Sequence, residues 1–587
     1  ITVTLQKTAQ WTQGNFEVYW ISSASYVKTS ETTAVLCTSG TYSWLANTTQ
    51  AEIGVSSTPE TWHSWIVFDW GDEGIARLGM GTLSVSGAFS ITGIITYFNV
   101  NDGQIDPSTV GTSTSSSATQ YPFQRKSFYA NGRFWVFFSD GTNMVFSSST
   151  DGSSWASKTT VRACTDGRMF SIWFDGTYVY YAYSDSRSSG NPLLCRRGTP
   201  ASGGSITWLA EQTAVAGTSG IRYYYPFIST DTNNYMWISY RYRTGSSYYP
   251  YATKSGNNDG TWGTTPSGFP YQLSSTSASS WTVSVIPLTS GKMLAIYAYG
   301  STTVKARRWT GSAWGSERVT TSSIQSEYGY SAVAQNDDVH LVFLRSSDYY
   351  IRYTEYIYSS DAWSTETTVQ SSTTSTSCPA LCRNPSNNDL YCFWAGNPTA
   401  NHIYYKKCLS GTWDASPKDW ITETRLTGNN RITCFYNVYS SQLGLVYMTL
   451  TSSPYDVRFA YLSIVSVTVT SSPATGSGYC TVDGSAVTTP ATYSWIQGDT
   501  HTIAANSPVT VVSGQSQYVY SSWSDGGAQS HTITVPASTT TYTANYQLQY
   551  YFSVSSAYDS PTGTGWYNAG SSCSGSTVTT PVSGGSG

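Results

Sequence analysis

Ten cysteines, five histidines and a thin set of carboxylates are the residues of this chain that could carry covalent, metal or acid–base chemistry. The cysteines are Cys37, Cys164, Cys195, Cys378, Cys382, Cys392, Cys408, Cys434, Cys480 and Cys573. An even count in a chain that reads as secreted favours disulfides, with Cys392–Cys408 and then Cys164–Cys195 as the expected local bridges. Cys378 and Cys382 are close enough to raise zinc, yet no Cys-x-x-Cys pair or nearby histidine completes a tetrahedral set. His63, His340, His402, His501 and His531 stand in no Ser-His-Asp or metal-ligand string. His340 lies inside an apolar run and reads as a packed strand residue. Glycoside hydrolysis needs two carboxylates about 5–10 Å apart. Glu211, Glu327, Asp337, Asp338 and Glu355 are available, but their spacing pairs none of them, and each reads first as a polar turn residue. Asn99-Val-Asn-Asp-Gly-Gln-Ile-Asp106 has oxygen donors for calcium, but its acids fall out of register with a calcium loop. A plain Asn/Asp/Gly turn is the expectation there and structural calcium the alternative. No catalytic residue and no cofactor is assigned.

Binding chemistry is better supplied. Arg222-Tyr-Tyr-Tyr-Pro-Phe227 and Tyr248-Tyr-Pro-Tyr251 are the densest aromatic clusters. Aromatic faces stack on sugar rings, and tyrosine gives rigid, amphipathic interface area. Tyr223, Tyr224, Tyr225, Tyr248, Tyr249 and Tyr251 are therefore the candidate ligand residues, against strand packing as the plain alternative. Asn47-Thr-Thr49 is an unobstructed N-glycosylation acceptor. A net charge of −4 without any Lys/Arg run argues against nucleic acid. No apolar run approaches the roughly 18 residues of a spanning helix.

The elements that must position these residues follow from composition and repetition. Only 11% of the 587 residues are charged and 15% are aromatic, while helix formers are scarce and Ser, Thr, Gly and Tyr dominate. The chain reads as all-β and extracellular. A turn ending in tryptophan recurs at Trp155, Trp208, Trp262, Trp314, Trp363 and Trp413, with spacings of 53, 54, 52, 49 and 50 residues. An aromatic, β-branched run precedes each, such as Phe134-Trp-Val-Phe-Phe138 or Leu390-Tyr-Cys-Phe-Trp394. A period of ~40–50 residues with one aromatic motif per unit is that of propeller blades. Residues 121–466 are expected to form a seven-bladed β-propeller, with six to eight blades compatible with the spacing. The tryptophans would pin each outer turn between blades.

Residues 1–120 form an N-terminal β region, a sandwich or an extra blade, with Ser108–Gln120 as a connector. The last copy, Arg431–Ser466, offers only three clear strands. The alternating strand Ile1–Gln6 is expected to supply the fourth and close the ring. Residues 467–547 read as an Ig-like β-sandwich repeat, and 548–587 as the start of a second repeat, because Ser472-Pro-Ala-Thr-Gly-Ser-Gly aligns with Ser560-Pro-Thr-Gly-Thr-Gly.

Ser149-Thr-Asp-Gly-Ser-Ser-Trp155 resembles the Asp box of sialidase-like propellers, a tight hairpin outside the sheet. The segment Tyr493–Tyr546 is similar to tandem β-repeats of bacterial and archaeal surface proteins. Sialidase activity would demand three arginines around a carboxylate, the first in an Arg-Ile-Pro string, with a Tyr–Glu pair and an Asp acid. No Arg-Ile-Pro occurs, and Arg222, Arg241, Arg243, Arg307 and Arg352 show no selective spacing. The resemblance thus implies fold and location. The expected function is a non-catalytic surface or adhesion protein, a propeller head on an Ig-like stalk that binds glycan, surface protein or copies of itself. The alternatives are a structural subunit of an extracellular filament or surface layer, and a propeller glycosidase acting on surface polysaccharide.

Overall fold

The computed structural model describes residues 107–576 apart from 372, 410, 558 and 559; before residue 107 it gives only the backbone of short strands between Thr2 and Asn99. Among the described residues the protein is all-β, interrupted by two single 3-10 turns, Gly167–Met169 and Thr289–Gly291. The chain divides into two compact units. One is Ile105–Ser463; the other combines Ile1–Gln104 with Ile464–Gly587.

In the unit Ile105–Ser463, seven antiparallel sheets follow one another in chain order. Their leading strands are β1 (Ser127–Ala130), β2 (Phe170–Phe174), β3 (Ile221–Thr230), β4 (Thr282–Pro287), β5 (Tyr330–Gln335), β6 (Ala380–Arg383) and β7 (Thr433–Cys434). Each leading strand pairs with a second strand that is apolar along most of its length, such as Phe134–Phe138 or Leu390–Ala395, all buried. Continuous apolar runs of this length fit strands covered on both faces.

Hydrogen bonds pass from one leading strand to the next around the unit. Ile172 N–H of β2 donates to the Arg125 carbonyl just before β1, at 2.8 Å. Ser171 Oγ accepts Ile228 N–H of β3 at 3.0 Å, and Ser229 Oγ donates to the Val285 carbonyl of β4 at 2.7 Å. Ser284 Oγ meets Tyr330 Oη of β5 at 3.3 Å, and Ser331 Oγ accepts Leu381 N–H of β6 at 3.0 Å. Arg383 N–H donates to the Tyr436 carbonyl past β7 at 3.3 Å. Thr433 Oγ1 returns to the Gln124 carbonyl at 3.2 Å, which closes the circuit. The small hydroxyl is what such a position needs: it lets two backbones approach and satisfies a buried polar group that the sheet ladder leaves over.

The last sheet gains its fourth strand from an unexpected segment. Ser108–Ser113, read above as connector, pairs antiparallel with the strand Tyr455–Ser472, from Ser108↔Phe459 to Ser113↔Tyr455. A bulge at Val110 turns both Val110 and Ser113 inward while Thr109 and Thr112 stay exposed. The strand expected to do this, Ile1–Gln6, instead contributes Thr2–Leu5 to a local pair with Gly40–Ser43.

The Ser149–Trp155 turn locks this closure. Asp151 Oδ1 accepts Ser153 N–H at 2.8 Å and Ser154 N–H at 2.7 Å, while Ser149 Oγ accepts Gly152 N–H at 2.9 Å. Trp155 Nε1 donates to Ser108 Oγ at 2.8 Å, and that hydroxyl donates to the Gly152 carbonyl at 2.6 Å. The tryptophan turns reach the preceding sheet: Trp155 lies 5.2 Å from Phe459, Trp208 6.5 Å from Phe137, Trp314 6.0 Å from Trp237 and Trp413 5.6 Å from Tyr353. Trp262 is buried, and Trp363 packs on Tyr356 of its own sheet.

The expected disulfides are not formed. The nine described cysteines are free, eight of them buried and Cys573 exposed. Cys164 and Cys195 belong to different cores, the first with Phe128 and Phe170, the second with Trp173 and Ile238. Cys392 and Cys408 sit diagonally, since Cys392 faces Lys406 and Cys408 faces Leu390. Diagonal neighbours are ~7–8 Å apart between Cα atoms, beyond the span of a relaxed bridge. Asn47 and residues 100–106 of the expected calcium turn lie outside the described residues.

From Ile464 onward, two sheets share one core of Val467, Val469, Cys480, Trp495, Ile503 and Trp523 among others. One sheet holds Ser477–Val482, Ser485–Thr488, Thr500–Ala505 and Ser530–Thr534; the other includes Ala491–Ile496, Ser516–Trp523 and Thr540–Phe552.

Candidate functional site

The pleat divides the six candidate tyrosines. Across β3 and its partner Met236–Thr244, Tyr223 faces Tyr242 and Tyr224 faces Arg241. One strand further, Tyr249 faces Tyr242, Tyr251 faces Tyr240 and Tyr248 faces Arg243. Tyr223, Tyr249 and Tyr251 therefore share the face of Tyr240 and Tyr242. Tyr223 is buried there, donates from Oη to the Ala216 carbonyl at 2.8 Å and packs against Tyr240; Tyr251 stacks on that same ring. Tyr224 and Tyr248 point the other way with the arginines. Tyr225 joins them through a bulge between Tyr224 and Phe227, where it holds φ +52°. A bulky residue in the left-handed region costs ~1–2 kcal/mol and persists only where its surroundings impose it.

What imposes it is a cluster at the entry ends of the leading strands. The Arg241 guanidinium carbon lies 4.5 Å from the ring centres of both Tyr224 and Tyr225 and 5.4 Å from Tyr248. Tyr225 stands edge-on to Tyr121 at 5.3 Å, and Tyr121 stacks on Tyr328 at 4.4 Å with 8° between planes. Tyr121 leads into β1, Tyr328 into β5, Arg168 into β2 and Arg431 into β7. The strand starts thus deliver aromatic and guanidinium groups to one mouth.

Beneath the mouth the axis is filled by the chain itself. Phe123 stacks on Tyr330 of β5 at 5.3 Å and on Phe227 of β3 at 6.5 Å. Gln124 Nε2 donates to the Pro226 carbonyl at 2.9 Å and to the Arg168 carbonyl at 3.2 Å. Arg125 donates to Ser331 Oγ and the Ala332 carbonyl at 3.1 Å each, and to Cys434 Sγ at 3.3 Å.

Charge at the mouth is lopsided. Arg168, Arg222, Arg241, Arg243 and Arg431 stand against Asp166 and Glu327. Asp166 is committed, because Arg168 grips both of its oxygens and Nε lies 2.9 and 3.1 Å away. Burial pushes the Tyr121 phenol well above its ordinary value, and the neighbouring Tyr225 phenol adds to the shift. Burial also raises Tyr224, but Arg243 and Arg222 together outweigh it and hold that phenol below the usual range. Glu327 is raised by burial, which the Arg241 charge only partly offsets. Its carboxylate makes no side-chain hydrogen bond among the described residues.

The other carboxylates considered above are elsewhere. Glu211 pairs with Arg162 and Tyr181, Asp337 with Lys292, and Asp338 accepts Tyr358 N–H at 2.8 Å. Glu355 lies 3.8 Å from His340. Burial lowers that histidine to about 4, and its ring nitrogens meet Tyr353 Oη and Gln335 Oε1 at 2.8 and 2.9 Å. No group of three or more His, Cys, Asp or Glu side chains suited to a metal occurs among the described residues, and none of their helices is long and apolar enough to cross a membrane. Tyr121, Arg168, Tyr328 and Arg431 were missed from the sequence. Their common signal is position: each stands two to six residues before a leading strand.

No protein-family model and no curated protein sequence matches the chain. Among solved structures, an ulvan lyase of a polysaccharide lyase family, bound to -[GlcA(1-4)Rha3S]-, is 10% identical with a TM-score of 0.39, over 61% of this chain and 95% of that one. AofleA from Arthrobotrys oligospora is 11% identical with a TM-score of 0.35, over 54% and 91%. The NanB sialidase of Streptococcus pneumoniae, in complex with a substituted ethanesulfonate, is 12% identical with a TM-score of 0.33, over 68% and 83%. Likenesses at this level assign no activity to the chain.

Proposed function

We propose that Ile105–Ser463 is a seven-bladed propeller whose mouth binds an anionic glycan, carried at a cell surface by a chain that also holds an Ig-like sandwich of residues 467–547. The observation that carries the reading is the concentration of five guanidiniums against two carboxylates on a tyrosine platform, with the Arg241 guanidinium carbon 4.5 Å from the ring centres of both Tyr224 and Tyr225. Guanidinium recognises carboxylate and sulfate through paired N–H donors. Tyrosine supplies the apolar face and hydroxyl that a sugar ring needs. Binding to polygalacturonate, dextran sulfate and uncharged dextran tests it by affinity electrophoresis of the full chain. Both charged polymers should retard the protein, and dextran should not. Arg222→Ala with Arg243→Ala should weaken retardation about tenfold, a loss of ~1.4 kcal/mol. Equal retardation by dextran would overturn the reading.

A glycan-cleaving enzyme is the second reading, favoured by one observation: Glu327 is a half-buried carboxylate of raised pKa with no hydrogen-bonded side chain among the described residues, the environment of a general acid or base. A two-carboxylate hydrolysis lacks its partner, because Asp166 is held by Arg168. Product release from a charged polysaccharide that disappears in Glu327→Gln while binding persists would establish this reading over simple binding.

A further inference from the structure

The arginines of the mouth fall into two groups. Arg222, Arg241 and Arg243 gather on Tyr224. The Arg241 guanidinium carbon lies 4.5 Å from its ring centre, Arg243 Nη1 donates to its hydroxyl at 3.3 Å, and Arg222 acts on the same phenol. Arg168 and Arg431 form the second group, and both act on the phenol of Tyr121. Tyr225 stands between the groups, 4.5 Å from the Arg241 guanidinium carbon and edge-on to Tyr121 at 5.3 Å. Two rings therefore separate them. Tyr225 and Tyr328, on either side of the buried Tyr121, are only half-buried.

Neither group is neutralised from within. The first sets three guanidiniums against Glu327, on which Arg241 acts. In the second, Asp166 is committed to Arg168, which leaves the charge of Arg431 over. Burial and the like charge of Arg168 both lower the Arg431 pKa, and the other groups acting on it are the phenols of Tyr121, Tyr328 and Tyr455. No carboxylate among them balances it. Arg431 is nevertheless held in place, because Nε donates to the Ser116 carbonyl at 2.5 Å and Nη1 to Asn430 Oδ1 at 2.7 Å. Those neutral oxygens fix the side chain without cancelling its charge. Arg243 is fixed in the same way, by the Gly245 carbonyl at 3.0 Å and the Tyr224 hydroxyl. In both residues Nη2 makes no hydrogen bond among the described residues and is not shut off from solvent. Each group thus offers a positioned, charged donor to an anion, and charge-assisted hydrogen bonds are the strong ones.

We propose that the mouth is a two-point clamp for a glycan with acidic groups on separate sugar residues, one held by Arg222, Arg241 and Arg243 and another by Arg431. The inference rests on the mouth being the anionic-glycan site, and adds that a single charged sugar does not fill it. Once one acidic group is held, the next is delivered to the second group at high effective concentration. Diffuse attraction to a basic surface also grows with chain length, but smoothly. A clamp gives a step at the length that first reaches both groups, with little gain beyond it.

Titration calorimetry of the full chain at physiological ionic strength tests this, with D-galacturonate and its α-1,4-linked oligomers from dimer to hexamer. Affinity should rise about a hundredfold at one particular length. Arg431→Met should abolish the step, and Arg431→Lys, which keeps the charge, should restore part of it. Arg222→Ala with Arg243→Ala should shrink it. The wild-type length series decides the matter even where a variant fails to fold. Galacturonate binding as tightly as the hexamer would overturn the clamp and leave the anionic-glycan reading standing. A smooth rise with length, or a step that survives Arg431→Met, would do the same. No binding by any of the oligomers, or equal binding by uncharged maltohexaose, would overturn that reading and the clamp with it.

Discussion

Gly152 and Gly132 share a backbone angle and differ in surroundings, which lets the ring closure be weighed by itself. Both hold φ +73°. A Cβ on Gly132 would meet nothing within 4 Å, whereas one on Gly152 would stand 2.4 Å from a ring carbon of Tyr461 and 3.3 Å from Phe134. Alanine at Gly132 therefore incurs only the left-handed backbone cost, about 1–2 kcal/mol. Alanine at Gly152 incurs the same cost and must also displace Tyr461, whose hydroxyl donates to the Asp151 carbonyl at 3.2 Å. Overpacking of this kind adds about 1–3 kcal/mol. The expected total is about 2–5 kcal/mol for Gly152→Ala against about 1–2 for Gly132→Ala. Urea unfolding of the two variants, followed by tryptophan fluorescence, measures the difference directly. In a Tyr461→Leu background the extra penalty should shrink, because the clashing ring carbon is gone. Equal destabilisation by the two alanines would refute the idea that the Ser149–Trp155 turn is wedged against the last sheet.

Three further outcomes follow from the same architecture. Ser229→Ala and Ser171→Ala should each cost about 1–2 kcal/mol by urea unfolding, since each breaks a buried link between leading strands; losses no larger than an exposed Ser→Ala would count against the hydroxyl circuit. Lys126 is buried, and desolvation lowers it from 10.5 to about 7. Between those values the unfolded chain binds the extra proton, so this residue's contribution to stability rises with pH. Lys126→Met should therefore be most stabilising below pH 7, with its advantage shrinking towards pH 10.5, and a pH-independent difference would contradict the burial. Burial pushes the Cys164 thiol up to about 12 and Cys408 and Cys434 up to about 11. Native alkylation at pH 8 should leave these three unmodified, and a Cys392–Cys408 cross-linked peptide in a non-reducing digest would show the thiol assignment to be wrong.

The all-β character and the repeat were legible because they are written in periodic features. A tryptophan every 49–54 residues and an apolar run before it need no tertiary context to be seen. The closing strand was not legible for a physical reason. Ser108–Ser113 carries one apolar side chain, Val110, and its inward pattern depends on a bulge that no alternation count would reveal. Ile1–Gln6 alternated better and so attracted the role. The cysteine error has a similar source: spacing put Cys392 and Cys408 on neighbouring strands, but a bridge depends on register, and register here makes them diagonal. At the mouth, local density drew attention to all of Tyr223–Tyr225 and Tyr248–Tyr251. The pleat then separates ring-bearing residues one by one, and a mouth assembled from Tyr121, Arg168, Tyr328 and Arg431 spans 311 positions of sequence, counted from Tyr121 to Arg431 inclusive.

The filled axis gives the two ends of the unit separate chemistry. Were the leading strands lined only by the hydroxyls that join them, water would pass between the entry ends and the exit ends. Instead Phe123 lies between Tyr330 and Phe227, and Arg125 reaches across to Ser331, Ala332 and Cys434. These are spokes, joining the first sheet to the third, fifth and seventh, whereas the serine links join neighbours only. A ring held by neighbours alone can shear one sheet at a time. Spokes resist that, because moving one sheet disturbs contacts with sheets it does not touch. The entry ends are thereby held in fixed relation, which is what a surface made from several different loops requires if it is to present guanidiniums at a constant spacing to a charged polymer. The exit ends inherit the same rigidity. There Arg383 Nε and Asn437 Oδ1 stay buried without a hydrogen-bond partner, although a backbone bridge makes the two residues neighbours. Rigidity of the axis thus explains why both ends can hold polar groups in arrangements that a looser fold would collapse.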